Sequence, residues 1–143
     1  MQFLKEEGLI APDEISSTED AVPLDYTRLS SSELGAVHSR FAVRHSYAIY
    51  VTARYAFRLA TLRASQRVEG AKFRFKHQDD YKRKYELDNA LLTNKRYRER
   101  EDEILQLEAK VEVFQALAQS FEDLRNAASR EMFRRSSEQA PKD

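Results

Sequence analysis

The sequence predicts an all-α protein: two long helices in an antiparallel hairpin with a short connecting helix, assembling into a homo-oligomer. Three observations carry this. Glycine and proline, which make tight turns and break helices, number only three each in 143 residues. Apolar residues recur at three- and four-residue steps over two long stretches, and no alternating strand pattern competes. The charged share of 34% against a hydrophobic share of 41% suits extended helices with one buried stripe. A two-helix unit has a thin core, so self-association is expected to bury the rest.

Residues 1–28 read as an acidic tail, partly flexible, in which Gly8, Pro12, Pro23 and the Ser16–Asp20 run interrupt periodicity. Phe3, Leu4, Leu9 and Ile10 within it form a short candidate docking segment. A helical hairpin domain then spans 29–135, and 136–143 is expected to fray.

The first helix opens at Ser30 with Glu33 three residues on, a capping box in which each side chain satisfies a free backbone N–H. Leu29 and Leu34 supply the matching hydrophobic staple. The stripe continues through Val37, Phe41, Ala48, Tyr55, Leu59 and Leu62, with His38, His45 and Thr52 on the same face. Nothing breaks the pattern before the polar run from Lys76 to Asp80, so the helix should span roughly 70 Å at 1.5 Å per residue.

Residues 81–92 predict a short helix with Tyr81, Tyr85, Leu91 and Leu92 as its apolar positions. Thr93-Asn94 offers a break and a new N-cap. The last helix is expected from about Lys95 to Arg135. Its stripe is Tyr97, Ile104, Leu107, Val111, Phe114, Ala118, Phe121, Ala128 and Met132, flanked by Leu105, Leu117 and Leu124. Leu34, Phe41, Tyr55, Leu59, Leu62, Ile104, Leu107, Val111, Phe114 and Phe121 are the expected core and oligomer contacts.

Composition excludes several chemistries. No cysteine is present, which rules out disulfides and thiolate metal sites. The start lacks a cationic region followed by an apolar run, and no apolar run reaches membrane-spanning length, so a soluble cytoplasmic protein is expected. The glycines are isolated at positions 8, 35 and 70, so there is no phosphate-cradling loop. His38 and His45 stand two turns apart without a carboxylate at partner spacing, which reads as packing rather than metal ligation. The adjacent carboxylates Asp79-Asp80 and Glu101-Asp102-Glu103 have no nucleophile or base beside them. The reading is therefore of a non-enzyme, with no metal and no cofactor.

Charge is where the sequence becomes informative. The formal net charge is zero, yet residues 1–27 carry −6, residues 28–77 carry +8 and residues 78–143 carry −2. Eight of the ten cations in the basic segment are arginine, whose planar fork pairs with phosphate and stacks on bases. Arg40, Arg44, Arg54 and Arg58 recur beside the apolar stripe with Tyr47 on the same ridge, and Arg63, Arg67, Lys72, Arg74 and Lys76 continue it. Tyr50, Phe57, Phe73 and Phe75 are interleaved with them. Cations tracking a backbone, with aromatic faces for bases, are what sequence-tolerant single-strand binding requires. No helix-turn-helix or zinc-finger spacing points to duplex readout. Two alternatives stay open: Arg40 to Arg58 pair with Glu99 to Glu112 of the other long helix, or the basic helix lies on a membrane surface.

The arrangement resembles the UvsY-type recombination mediators of bacteriophages. The residues that carry it are Ser39-Arg40-Phe41-Ala42-Val43-Arg44-His45-Ser46, then Tyr85-Glu86-Leu87-Asp88-Asn89-Ala90-Leu91-Leu92-Thr93-Asn94 after the polar connection. In the last helix they are Glu108-Ala109-Lys110-Val111-Glu112-Val113-Phe114-Gln115-Ala116-Leu117 and the run from Phe121 to Arg130. The similarity covers about residues 35–132. It implies oligomeric rings, single-stranded DNA binding and help in loading a RecA-type recombinase onto DNA coated by a single-strand-binding protein. On that resemblance Arg40, Arg44, Arg54 and Arg58 would hold DNA phosphates, and the last helix would contribute to assembly. The acidic segment 1–28 lies outside the resemblance. The competing expectation is a helical scaffold, adaptor or phage assembly protein without DNA affinity.

Overall fold

The computed structural model describes residues 25–140, so the segment Phe3–Ile10 and most of the acidic tail lie outside the described residues. A 3-10 turn at Tyr26–Arg28 leads into three α-helices: α1, Ser31–His77; α2, Lys84–Thr93; and α3, Lys95–Gln139. The two long helices pack against each other, and no strand occurs among the described residues.

The helix boundaries follow from local chemistry. At the start of α1 the Ser30 N–H donates to Glu33 Oε2 at 2.7 Å and the Glu33 N–H donates to Ser30 Oγ at 3.1 Å, which completes the capping box. Asn94 alone separates α2 from α3, and its Oδ1 accepts from the Tyr97 N–H at 3.1 Å. The start of α2 differs from the expected 81–92. Its N-cap, Arg83, makes no side-chain cap bond, and Leu87 and Leu91 are the buried residues. Tyr85 and Leu92 are exposed, and Tyr81 precedes the helix. α3 also runs further than Arg135. Arg134 bridges back to Glu131 and on to Glu138, and these third- and fourth-neighbour pairs support helix through Gln139.

Contacts divide the described chain into two compact units, one formed by Thr52–Val113 and the other by the residues up to Val51 and from Phe114 onward. In the second of these, Leu34, Phe41, Ala48, Val51, Phe114, Ala118, Phe121 and Ala128 are buried. The Phe41 and Phe121 rings stack at 6.2 Å, and His45 Nδ1 lies 2.9 Å from the Ala118 carbonyl oxygen. His45 is therefore a packing residue with a backbone partner. Val51 belongs to this core although the expected stripe passed over it, and Met132, expected on the stripe, is 40% exposed.

The turn before α1 is tied to the end of α3. Arg135 donates to the carbonyl oxygens of Tyr26, Thr27 and Leu29, and its Nε donates to Glu131 Oε1 at 2.8 Å. Tyr26 donates its hydroxyl to the Leu124 carbonyl at 3.4 Å. Glu131 is buried, and hydrogen bonds from Arg134 and then Arg135 hold its carboxyl down at about 2.

In the Thr52–Val113 unit the core is thinner. Leu59, Ile104 and Leu107 cluster, with Tyr55, Leu62 and Val111 packed at the edge. Gln66, only 4% exposed, extends the same face and donates to the Tyr97 carbonyl at 3.0 Å and to Glu101 Oε1 at 2.8 Å. Gly70 is buried beside Leu91 and Tyr97, and an added Cβ there would make ordinary contact with Leu91 Cδ2 at 3.5 Å and Tyr97 Cε2 at 3.8 Å, so the packing does not depend on glycine. In both units a step forward along α1 meets a step backward along α3, the pairing of an antiparallel hairpin.

Candidate nucleic-acid interface

Because α1 buries one stripe, its opposite face is left to solvent. In the unit up to Val51, Val43 and Tyr50 lie off the buried stripe and are 70% and 56% exposed; in the Thr52–Val113 unit, Phe57, Val68 and Phe75 do so and are 53–78% exposed. Large apolar side chains exposed on one face are what a contact surface presents. Phe73 is the exception among the interleaved aromatics. It is half-buried and tilts against the His77 ring at 4.5 Å.

The cations expected to bind phosphate fall into two groups. In the unit containing Phe41 and Phe121, Arg40 and Arg44 are half-buried and Tyr47 is 36% exposed. The Tyr47 and Tyr50 rings lie 6.1 Å apart, tilted by 31°, beside a shallow apolar depression. In the Thr52–Val113 unit, Arg54, Arg58, Arg63, Arg67, Lys72 and Arg74 are all exposed. Arg58 pairs with Glu103, Arg63 with Glu108, and Arg74 Nε with Asp88 Oδ1 at 2.8 Å. The intramolecular pairing that the sequence left open is thus realised at Arg58, and at Arg63 and Arg74 just beyond the expected range. Arg67 makes no ion pair or side-chain hydrogen bond among the described residues.

These pairs are exposed and weak. Their partners keep at least a third of their side-chain surface in water, where such a bridge contributes about 0–1 kcal/mol. A phosphate can replace the carboxylate at little cost.

Arg63, Arg67 and Arg74 also line one cleft of about 550 Å³, together with Gln66, Tyr97 and Glu101. Sequence reasoning missed Gln66 and Tyr97 as part of it. The available signal for Gln66 was its position four residues after Leu62 on the buried stripe. Burial raises the Tyr97 hydroxyl above its ordinary range, and the neighbouring Glu101 carboxylate adds to this. Nearby, Arg100 Nη1 lies 3.0 Å from Glu69 Oε1 and holds that carboxyl below the usual range.

Among the described residues there is no group of three or more His, Cys, Asp or Glu placed to hold a metal ion, and no helix is long and apolar enough to cross a membrane. No family model, curated protein or solved structure matches the chain.

Proposed function

We propose that this chain is a non-enzymatic single-stranded DNA-binding protein that acts as a recombination mediator, helping to load a RecA-type recombinase on DNA as an oligomer. One observation carries the DNA-binding part. The face of α1 turned away from the core presents Tyr50, Phe57 and Phe75 to solvent between arginines and lysines. Stacking on such rings contributes about 1–3 kcal/mol per base, and the cations follow the backbone without reading sequence. The mediator role, the recombinase and the single-strand-binding protein as partners, and the ring rest on the resemblance to UvsY-type proteins.

The test is anisotropy of a labelled single-stranded oligonucleotide at about 50 mM and about 200 mM salt. Binding should weaken steeply with salt and prefer single strands to duplex. Charge reversal at Arg67, Lys72 and Lys76 leaves the core and the three α1 ion pairs at Arg58, Arg63 and Arg74 untouched. It should lower the salt slope by about 2, near 0.7 per lost phosphate contact. Absence of binding at the lower salt rejects the reading.

A second reading is a helical scaffold or adaptor without DNA affinity. The ion pairs at Arg58, Arg63 and Arg74 favour it, since they already engage part of the basic ridge. It predicts the same helicity and assembly with no oligonucleotide signal.

A further inference from the structure

We propose that the α1 face formed by Ala42, Val43, Ser46, Tyr47 and Tyr50 is a docking surface for the chain's own acidic N-terminal segment, centred on Phe3–Ile10, which competes there with single-stranded DNA. The competition rests on the DNA-binding reading; the docking does not.

The surface is apolar and open. Val43 is 70% exposed and Tyr50 56% exposed, and the depression they share with Ala42, Ser46 and Tyr47 holds about 510 Å³. Arg40 and Arg44 flank it on α1, and residues 28–51 carry three arginines against the single carboxylate of Glu33. An occupant that satisfies both properties must be apolar and acidic. Residues 1–24 carry six acidic residues and one lysine, a net charge of −5, and Glu6-Glu7 stand between Phe3-Leu4 and Leu9-Ile10. A second copy of the same α1 face would instead set positive charge against positive charge.

Reach is sufficient. The point where residues 1–24 join the fold is fixed, since Arg135 holds the carbonyls of Tyr26, Thr27 and Leu29 immediately before α1. From Ser31 to Tyr50 the helix rises roughly 28 Å. The chain from Ile10 to Asp25 can span up to about 50 Å. Tethering also supplies an effective concentration on the order of millimolar, so weak contacts suffice.

DNA and the segment would then use the same tyrosines, and displacing the segment becomes part of the cost of binding. A segment docked nine-tenths of the time weakens DNA binding about tenfold, because only the undocked fraction is competent.

Two measurements on the full chain decide this. The chain has no cysteine, so Glu7→Cys with Ser46→Cys reports contact directly by disulfide trapping. The expected product is an intramolecular crosslink, absent for Glu7→Cys with the exposed control Ala116→Cys. Crosslinking equal to the control, or only between two copies, overturns the docking. The second variant combines Phe3→Ser, Leu4→Ser, Leu9→Ser and Ile10→Ser, which keeps the charge and removes the apolar contacts. It should bind the oligonucleotide about tenfold more tightly; unchanged affinity overturns the competition. If neither chain binds DNA, the DNA-binding reading fails, and the crosslink alone decides the docking.

Discussion

The two compact units solve the same problem, holding α1 against α3, by different means. The unit up to Val51 and from Phe114 relies on apolar interdigitation: Leu34, Ala48, Phe114 and Ala128 have no exposed surface at all. The Thr52–Val113 unit has a three-residue buried cluster and spreads ion pairs along the same two helices, Arg58 with Glu103, Arg63 with Glu108 and Glu69 with Arg100. A buried phenylalanine is insensitive to salt, whereas an exposed ion pair is screened by it. The segment with fewer apolar contacts is also the one where most of the cations lie. A surface that must accept an external polyanion cannot be committed to its own core, so weak pairing there is compatible with binding.

The largest expected difference between the units comes from truncating their cores. Phe114→Ala should destabilise the protein by about 3–5 kcal/mol, because it opens a cavity at a position with 0% exposure. Leu59→Ala, at 7% exposure within the thinner cluster, should fall near the low end of the about 2–5 kcal/mol range for such changes. Urea denaturation followed by helical circular dichroism measures both. Equal losses would mean that the two units depend on their apolar contacts alike.

The contrast between the units was only partly legible in the sequence. The capping box at Ser30 and Glu33, the N-cap at Asn94 and the buried positions from Leu34 to Leu59 and Ile104 to Ala128 are local signals that the structure bears out. The start of α2 was not legible, since Arg83 offers no capping side chain to mark it. Val51 lies on the core face as an extra apolar residue off the simplest spacing, and Gln66 keeps the spacing but is polar. The α1 ion pairs with α3 depend on the register of the two helices. Arg58 meets Glu103 and Arg63 meets Glu108, and periodicity within either helix leaves undetermined which residues of the other it will face. Charge segregation pointed to the basic ridge, but which of its arginines carry partners is set by tertiary structure.

A middle-sized effect belongs to the Arg135 anchor, the main polar feature of the more apolar unit. Hydrogen bonds from Arg134 and Arg135 lower the folded Glu131 carboxyl from its ordinary value of 4.5 to about 2. A lowered carboxyl pKa favours the folded state, so this contribution is complete above about pH 4.5 and fades as pH falls toward 2. Glu131→Gln removes the charge that orients Arg134 and Arg135. The variant should be less stable at neutral pH, with a shallower acid limb, and the two proteins should converge near pH 2. Urea midpoints across that range test the sign directly: a constant gap at all pH values would show that packing, not charge, sets the role of Glu131.

The smallest expected effect tests the other side of the comparison. Removing the Arg63–Glu108 pair by Arg63→Ala, Glu108→Ala and the double change should give a coupling energy below about 1 kcal/mol, because the pair is exposed. That coupling should shrink further as salt rises, while the loss from Phe114→Ala should not. The same cycle read by oligonucleotide affinity separates two roles for Arg63. If it reaches phosphate, Arg63→Ala weakens binding, whereas Glu108→Ala strengthens it by releasing the guanidinium. If Arg63 only bridges α1 to α3, both changes leave DNA affinity where it was and alter the melting temperature alike. Opposite signs in affinity with equal signs in stability would mark an arginine that holds the hairpin through a bond weak enough to exchange for DNA.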